Sequence, residues 1–313
     1  MEEMKNQRVV VTGGAGFIGS HLVAQLVEAG NDVVVIDTLL RGNKIPQEIF
    51  KKVEFHKVDV CDRDKVKAIS KGANVIFHFA AILGVDIVAD NPIETMETEV
   101  NGMQSVAGAA IENQIDRIVY ASTSGVYGHL ALEKSVDEEI LVDPRTSYAM
   151  AKRYNEIYLA SLFEEKGINS IAIRFFNVYG LRQDNRMVIP RFYEQAMSNE
   201  PITVFGTGEQ TRDFTYVDDA VKASILLANR VKGFEIFNVA NERESTIGEL
   251  AEKIKKMTGS TSEIKFIDAP KKRYDYEVGR RFGSSAKLIN HIDYKPNTQL
   301  DEGLDVIYAS LLN

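Results

Sequence analysis

Continuous apolar runs and helical patterns alternate along the first part of the chain. Residues 9–11 and 33–36 are uninterrupted runs of Val and Ile, and residues 18–27 between them repeat apolar side chains at helical spacing. A strand whose apolar residues do not alternate with polar ones is typical of a parallel sheet covered by helices on both faces. The order strand, helix, strand therefore predicts a β-α-β unit at the start of the chain.

The same alternation continues beyond this unit. It predicts further strands at 53–58, 75–79, 117–120, 170–175 and 234–239, and helices from about 93 to 113 and from about 148 to 166. A capping box at Thr246–Glu249 predicts a further helix that ends near Gly259. On the helix at 148–166, a stripe of mainly apolar residues suits either burial against the sheet or contact with another subunit; it comprises Tyr154, Ile157, Tyr158, Ser161 and Leu162.

The whole pattern predicts an α/β fold, a Rossmann-type doubly wound parallel sheet with a smaller α/β domain at its C-terminal side. We expect the sheet domain to comprise residues 1–176 and about 207–250. The smaller domain then comprises about 177–206 and 251–313. We find no linker, low-complexity segment or internal repeat in the sequence, so the two domains interleave along the chain.

Composition narrows the classes of protein that the chain can represent. Its 313 residues are 44% hydrophobic and 26% charged, as in ordinary globular proteins, and the net charge is −8. This acidity disfavours binding to nucleic acid or to an anionic membrane surface, and no apolar run is long enough to span a bilayer. The mixed charges of the first residues predict no signal peptide. Cys61 is the single cysteine and the histidines are scattered, so we expect a cytoplasmic protein without disulfides or a metal site.

Three glycines follow the first strand in the spacing Gly-x-x-Gly-x-x-Gly. Gly13 permits a tight turn, Gly16 allows the backbone to approach a pyrophosphate, and Gly19 allows close packing of helix on strand. N–H groups at the start of the helix then face the phosphates. Asp37 ends the second strand, where a carboxylate can accept hydrogen bonds from ribose hydroxyls and would repel a 2′-phosphate. The sequence therefore predicts NAD as the cofactor.

Tyr148 and Lys152 form a second candidate group. At positions i and i+4 they project from the same face of the predicted helix. An ammonium beside the phenol, together with the positive nicotinamide of an oxidised cofactor, would favour the phenolate and make it a usable general base. The same spacing also suits a solvated helix face. The catalytic interpretation of the pair is favoured because it follows the glycine loop and the hydroxyl-rich strand end at 122–124.

These motifs, in this order, resemble the extended short-chain dehydrogenases/reductases, the group that holds NAD-dependent nucleotide-sugar epimerases, dehydratases and decarboxylases. The likeness runs nearly end to end, through residues 12–22, 58–60, 78–81, 122–128, 174–180, 208–214 and 279–281. It implies an enzyme that oxidises a sugar hydroxyl to a ketone at the outset. It also implies a homodimer formed by the helices at 93–113 and 148–166.

The resemblance assigns a role to each matching residue. The catalytic residues would be Thr123, Tyr148 and Lys152. The cofactor would be held by Gly13, Gly16, Phe17, Ile18, Gly19, Asp37, Asp59, Val60, Ala80 and Ala81, together with Tyr148 and Lys152. The nucleotide sugar would be held by Ser124, Asn177, Arg186, Arg212 and Arg281, the last two clamping its diphosphate. Asn101 would correspond to an asparagine of the family.

The sequence departs from two branches of the family beside Thr123. The dehydratases carry an Asp-Glu pair directly after this threonine and the decarboxylases typically a Glu, whereas this chain has Ser124 and Gly125. Elimination of water therefore has no evident proton donor. We expect 4-epimerisation of a UDP-sugar of the glucose/galactose or glucuronate/galacturonate type.

Two alternatives to the epimerase stay open. A uronate decarboxylase is the runner-up, with Arg182 or Arg186 meeting the substrate carboxylate. A protein that binds NAD as a sensor or scaffold without turnover is disfavoured, because both Tyr148 and Lys152 are present.

Overall fold

Parallel strands form the centre of the protein in the computed structural model, which describes residues 4–82, 88, 90–131, 135–268 and 279–312. In chain order the strands are β1 (Arg8–Thr12), β2 (Asp32–Asp37), β3 (Glu54–Lys57), β4 (Val75–His78), β5 (Arg117–Thr123), β6 (Asn169–Phe175), β7 (Val178–Tyr179), β8 (Ile202–Phe205), β9 (Thr211–Asp213), β10 (Thr215–Tyr216), β11 (Phe234–Val239), β12 (Glu244–Thr246), β13 (Ile264–Ile267) and β14 (Arg280–Arg281).

Helices connect these strands. They are α1 (Phe17–Glu28), α2 (Gln47–Phe50), α3 (Arg63–Ile69), α4 (Pro92–Glu112), α5 (Ser147–Lys166), α6 (Val188–Met197), α7 (Val217–Arg230), α8 (Ile247–Thr258), α9 (Ala286–Ile292) and α10 (Leu300–Leu311). A 3-10 segment, Ser124–Ala131, directly follows β5. The predicted capping box is present at the start of α8, and Gly259 ends that helix in the left-handed conformation.

Seven strands make one sheet in the order β11-β6-β5-β4-β1-β2-β3, and each neighbouring pair is parallel. Successive side chains of β1 and β2 enter two different cores. Val9 and Val11 lie in one core and Val10 in the other, all with 0% exposure. Helices α1 and α7 cover the first face, and α3, α4 and α5 cover the second. The predicted doubly wound sheet is therefore confirmed, because burial of both faces accounts for the unbroken Val and Ile runs.

Strand β5 is longer than the sequence pattern predicts. It continues through Ser122 to Thr123, because β6 runs alongside and Thr123 pairs in register with Phe175. Hydrogen bonding to a neighbouring strand thus extends the element past its apolar residues. The consequence is that Thr123 lies at the C-terminal end of a central strand.

Smaller strand pairings are formed by residues that come after β6 in the chain. Strand β9 lies between β12 and β14, β8 pairs with β13, and β7 pairs with β10. Within the predicted segment 207–250, β11 joins the large sheet whereas β9 joins the three-stranded one. The division of the chain into two domains stays a prediction. Among the described residues, no helix combines the length and the apolar character needed to cross a bilayer.

Candidate active site

The glycine loop between β1 and α1 is packed too closely to admit side chains. Gly13 has φ +70°, and a Cβ there would lie 2.5 Å from the backbone nitrogen of Ala80. A Cβ on Gly19 would lie 2.1 Å from the carbonyl oxygen of Gly13. Gly16 is the N-cap of α1, and within the described residues no side chain caps this helix. Backbone N–H groups at its first turn are therefore suited to bind phosphate.

Asp37 lies against this loop at the end of β2. Its Oδ2 atom accepts a hydrogen bond from the backbone N–H of Ala15 (3.0 Å), and Oδ1 accepts one from Leu39 (2.8 Å). Burial raises the pKa of the Asp37 carboxyl, and these backbone donors partly oppose the rise. The side chain is half-buried, so one edge stays accessible beside the glycine loop. This is the position in which a carboxylate can bind ribose hydroxyls.

The other predicted cofactor residues lie at the same edge of the sheet. Asp59 and Val60 follow β3, and Ala80 and Ala81 follow β4. The Ala80 N–H donates to Oγ1 of Thr12 (3.3 Å), and Val60 is buried while Asp59 is exposed. Phe17 and Ile18 form the first turn of α1 and pack against the core. The C-terminal ends of parallel strands are the usual ligand crevice of such sheets.

Tyr148 and Lys152 lie on one face of α5, as their spacing predicts. Thr146 begins the helix by accepting a hydrogen bond from the N–H of Ala149, which places Tyr148 in the first turn. The Nζ atom of Lys152 is 5.3 Å from the centroid of the Tyr148 ring. The structure thus brings the predicted phenol and ammonium together.

Thr123 lies close to the same turn of α5. Its Oγ1 atom accepts a hydrogen bond from the N–H of Gly125 (3.0 Å). A Cβ on Gly125 would lie 3.3 Å from that oxygen and 3.7 Å from Cβ of Ala149. Ser124, between them, is 3% exposed. The turn after β5 therefore packs against the start of α5 and presents no carboxyl group between residues 123 and 125.

The electrostatics around Tyr148 differ from the sequence argument. Burial raises the pKa of the phenol above its ordinary value, and the negative charge of Glu99 raises it further. The Lys152 Nζ atom lies 3.0 Å from Oε2 of Glu99, with both side chains almost fully buried. The ammonium was expected to lower the pKa of Tyr148. The pKa of Tyr148 is raised instead, chiefly by burial and further by the Glu99 carboxylate, which pairs with the lysine.

Glu99 was missed by the sequence argument, which noted on this helix only that Asn101 corresponds to an asparagine of the family. Asn101 is exposed on α4. Glu99 is 1% exposed and in phase with the buried positions of the same helix, Thr95, Gly102, Met103 and Val106. A carboxylate at a core position of an amphipathic helix is uncommon unless it has a partner. The position of Glu99 among the apolar residues of this helix was therefore the sequence signal that could have identified it.

A cavity of about 130 Å³ lies on the side of the C-terminal elements. Two predicted substrate residues, Asn177 and Arg212, line it, and the remaining lining residues are Val188, Arg191, Phe205, Gln210, Phe214 and Ile247. The Arg191 guanidinium lies 4.9 Å from the centroid of the Phe205 ring. Arg191, Phe205 and Gln210 were not assigned from the sequence, since nothing local distinguishes a pocket arginine from a surface one.

Arg281 and Arg212 are register partners on the parallel strands β14 and β9. Asp213, next to Arg212, is buried and accepts hydrogen bonds from the N–H groups of Asn241 (2.9 Å), Glu242 (3.2 Å) and Gly283 (3.3 Å). This carboxylate ties β9 to the turn that follows β14. The two predicted diphosphate ligands are thereby held side by side.

Two other arginines have partners outside this group. Arg186 forms an ion pair with Asp184, two residues earlier in the chain. Arg182 donates from Nη1 to Oγ of Ser20 (3.1 Å), one residue after the last glycine of the loop. Arg186 is not among the residues that line the cavity with Asn177 and Arg212. Its predicted contact with the nucleotide sugar stays a prediction.

A glycine loop at the crevice of a doubly wound parallel sheet, with a Tyr-Lys pair nearby, defines a dinucleotide-dependent enzyme of the Rossmann type. Residues 9–240 match the NAD dependent epimerase/dehydratase family, and the chain belongs to this family, whose cofactor is NAD. The chain is 35% identical over 301 residues to a putative UDP-glucose 4-epimerase of Methanocaldococcus jannaschii, covering 95% of each chain.

Two further comparisons concern sequence and structure. The chain is 34% identical over 309 residues to a UDP-N-acetyl-alpha-D-glucosaminuronate decarboxylase of Bacillus cytotoxicus, again covering 95% of each chain. A crystal structure of UDP-glucose 4-epimerase from Thermotoga maritima with UDP-glucose superimposes with a TM-score of 0.91 at 29% identity. That alignment covers 98% of this chain and 100% of the other. The enzyme therefore belongs to a family of NAD-dependent nucleotide-sugar epimerases, decarboxylases and dehydratases.

Proposed function

We propose that this protein is a UDP-sugar 4-epimerase that acts through a transient 4-keto sugar. The observation that carries the proposal is the turn at 123–125, which contacts the start of α5 and offers a hydroxyl but no carboxyl group. Elimination of water from the sugar requires an acid at a neighbouring carbon. Epimerisation requires only a group that removes and returns the C4 hydroxyl proton, together with room for the ketone to turn.

The residues at the crevice have complementary roles in this proposal. NAD, when bound, supplies a hydride acceptor that later returns the hydride to the same carbon. The glycine loop and Asp37 would hold that cofactor, with Asp59 and Val60 contacting its adenine and Ala80 and Ala81 backing it. Tyr148 takes the C4 hydroxyl proton and returns it, while Thr123 hydrogen-bonds the sugar oxygen. Lys152 holds the cofactor ribose beside the phenol.

The cavity beside β9 accommodates the nucleotide in the same proposal. Arg212 and Arg281 lie side by side, and paired guanidinium groups match the oxygens of a diphosphate. Asn177 lines the cavity and donates from Nδ2 to the carbonyl oxygen of Asp213 (3.1 Å). The M. jannaschii relative is named a putative UDP-glucose 4-epimerase, which supports UDP as the nucleotide.

A neutral hexose is favoured over a uronate by the partners of two arginines. Arg186 is neutralised by Asp184, and Arg182 is directed to Ser20 on α1. Both guanidinium groups thus have partners outside the turn at 123–125. We therefore infer that the substrate is of the UDP-glucose/UDP-galactose type.

A UDP-uronate decarboxylase is the second candidate. The B. cytotoxicus relative, which matches over nearly the whole chain, is named a decarboxylase. Oxidation at C4 of a uronate would make the neighbouring carboxylate a β-keto acid, which loses carbon dioxide readily. This route uses the same Tyr148 step, so the two candidates differ in substrate and product rather than in the opening chemistry.

Product analysis distinguishes the candidates. We expect UDP-glucose or UDP-galactose, incubated with the protein and NAD, to give a product of unchanged mass and altered chromatographic retention. Substrate deuterated at C4 should retain the label, because the hydride leaves and returns at one carbon. Loss of carbon dioxide from UDP-glucuronate would establish the decarboxylase, and loss of water would establish a dehydratase; either result without epimerisation overturns the proposal.

We further propose that the enzyme is a cytoplasmic homodimer that uses α4 and α5 as its interface. Three large apolar side chains at i, i+4 and i+7 of α5 remain exposed, namely Met150, Tyr154 and Ile157. Their exposed fractions lie between 44% and 55%. Apolar side chains that recur along one helix face are typical of a subunit contact. The residues of the stripe predicted from the sequence are therefore not all on one side: Leu162 is buried in the core, whereas Ile157 is exposed at the surface.

A further inference from the structure

Glu99 is a buried carboxylate that the proposed chemistry does not use. Its Oε2 atom lies 3.0 Å from Nζ of Lys152, and the two side chains are 0% and 1% exposed. Lys152 also lies 4.7 Å from the centroid of the Tyr120 ring and 5.3 Å from that of Tyr148. The ammonium thus has an aromatic ring on each side and a carboxylate as its ionic partner.

Hydrogen bonds hold the carboxylate in place. Asn155, on α5, donates from Nδ2 to the backbone carbonyl of Glu99 (3.1 Å) and to the hydroxyl of Tyr120 (2.8 Å). The Tyr120 hydroxyl in turn points to Oε2 of Glu99 at 3.4 Å. Asn155 lies one turn beyond Lys152 on the same helix. The lysine, its counter-ion and the strand behind them are therefore tied to one another across α4, α5 and β5.

Burial shifts the pKa values of three other titratable groups near Glu99 toward their neutral forms. Burial lowers the pKa of His78, on β4, to about 3, and raises that of Cys61, before α3, to about 12. Burial also raises the pKa of Tyr120 well above its ordinary value. Further along α5, the carboxylate of Glu156 is already paired with Arg174 at 2.8 Å. Lys152 and Glu99 thus form a buried ion pair beside the Tyr148 ring.

We propose that Glu99 is a positioning residue of the reaction: it holds the Lys152 ammonium beside Tyr148 and sets the net charge that the phenol experiences. This inference rests on the proposed function only in taking Tyr148 as the group that moves the proton. Opposite charges at 3.0 Å largely cancel at the distance of the phenol. Tyr148 is then kept protonated until further positive charge arrives at the crevice, so a positive ligand there controls when the base forms.

The test is a titration of Tyr148 in the NAD-loaded protein, where the positive nicotinamide lowers the pKa of the phenol, and it requires no sugar substrate. The protein is labelled with ¹³Cζ-tyrosine, and the Tyr148 resonance is assigned by its loss in Tyr148→Phe. We expect Glu99→Gln to lower the pH midpoint of this resonance by at least about 0.5 unit, because the carboxylate charge is removed while the side-chain volume is kept. The ascending limb of the pH–kcat profile should move in the same direction.

Glu112→Gln is the matched control, since Glu112 lies on the same helix and pairs with a lysine, Lys67, at the surface (2.9 Å). It should leave the Tyr148 midpoint unchanged. Glu99→Asp retains the charge but withdraws the carboxylate from Lys152. We expect its Tyr148 midpoint to stay near the wild-type value and its kcat to fall about tenfold, since misplacement of a supporting group by about 1 Å is costly.

Three results would overturn the proposal. They are an unmoved or raised midpoint in folded Glu99→Gln, an equal shift in Glu112→Gln, or wild-type kcat in Glu99→Asp. If Glu99→Gln does not fold, the Asp variant alone decides whether the position of the carboxylate matters. The Tyr148 titration is measured without sugar substrate. Its result therefore does not depend on whether the product assay finds epimerisation.

Discussion

Arg281 lies directly opposite Arg212 in the register of two short parallel strands, although the residues belong to distant parts of the chain. Two like charges side by side are unfavourable unless an anion lies between or beside them. Both residues are half-buried rather than fully solvated. In the proposed function, a doubly charged group such as a diphosphate would bind beside both guanidinium groups and offset this repulsion.

Substitution of either arginine should weaken substrate binding more than turnover. For Arg212→Ala or Arg281→Ala we expect KM for the nucleotide sugar to rise about 10- to 100-fold, the loss of one charge-assisted contact. Arg280→Ala is the control, because the neighbouring side chain pairs with Glu244 on the other face of the strand. Its KM should change by less than about threefold. Equal KM values for all three variants in steady-state kinetics would contradict binding of the diphosphate by Arg212 and Arg281.

Tyr148→Phe should abolish the proton transfer and leave the fold intact. We expect kcat to fall by about 10²–10⁴, the usual contribution of a general acid–base group, while NAD still binds. Tyr154→Phe, on the same helix with 44% of its side chain exposed, should retain wild-type kcat. Turnover assays with calorimetric titration of NAD measure both quantities. A Tyr148→Phe enzyme with near-wild-type kcat would exclude this residue as the base.

Gly125→Ala tests how closely the turn after β5 is packed. The added Cβ would lie 3.3 Å from Oγ1 of Thr123, so the hydroxyl must shift from the position that it needs toward the sugar. We expect kcat to fall about tenfold with little change in the unfolding temperature. Gly108→Ala, whose Cβ would meet nothing within 4 Å, is the control and should keep full activity. Equal kcat in the two variants would refute the packing argument.

His78 should make the protein sensitive to acid. Burial, aided by the Lys152 charge, lowers the pKa of this imidazole to about 3 in the folded state, whereas an unfolded histidine titrates near about 6.5. The unfolded chain therefore binds a proton that the folded one does not, so stability falls as pH drops below about 6.5. Between pH 7.5 and pH 5 we expect a loss of about 2 kcal/mol from this residue.

Urea unfolding of the wild type and of His78→Phe at the two pH values measures this contribution. The variant loses the hydrogen bond to Thr12 (2.8 Å) but keeps a ring beside Tyr120, so it should be the less stable protein at pH 7.5. At pH 5 the difference should shrink or reverse. The same pH dependence in both proteins would show that His78 does not titrate as the structure implies.

Charge on the exposed face of α5 should separate the subunits of the proposed dimer. We expect Ile157→Glu to yield a monomer in light-scattering chromatography, because a buried unpaired carboxylate is strongly unfavourable at an interface. Leu141→Glu, at a residue that is 83% exposed elsewhere on the surface, should leave the mass unchanged. A wild-type protein that is already monomeric at micromolar concentration would refute the interface.

The glycine loop, the strand pattern and the Tyr148–Lys152 pair were all predictable because each depends on neighbours in sequence. Unbroken runs of Val indicate strands buried on both faces, and a four-residue spacing places two side chains on one helix face whatever the rest of the protein does. The same local logic places Asp37 at the end of β2. These features required no knowledge of how the helices pack.

Contacts between separate elements were decided by the tertiary structure alone. The sequence contains Glu99 and Lys152 but not the packing of α4 against α5 that brings their charges to 3.0 Å. The same packing buries Tyr148 and places the Glu99 charge near it, and both effects raise the pKa of the phenol. The register that sets Arg281 beside Arg212 depends likewise on β9 lying between β12 and β14. Periodicity determines which way a side chain faces along its own element, whereas burial and charge depend on what the fold places opposite it.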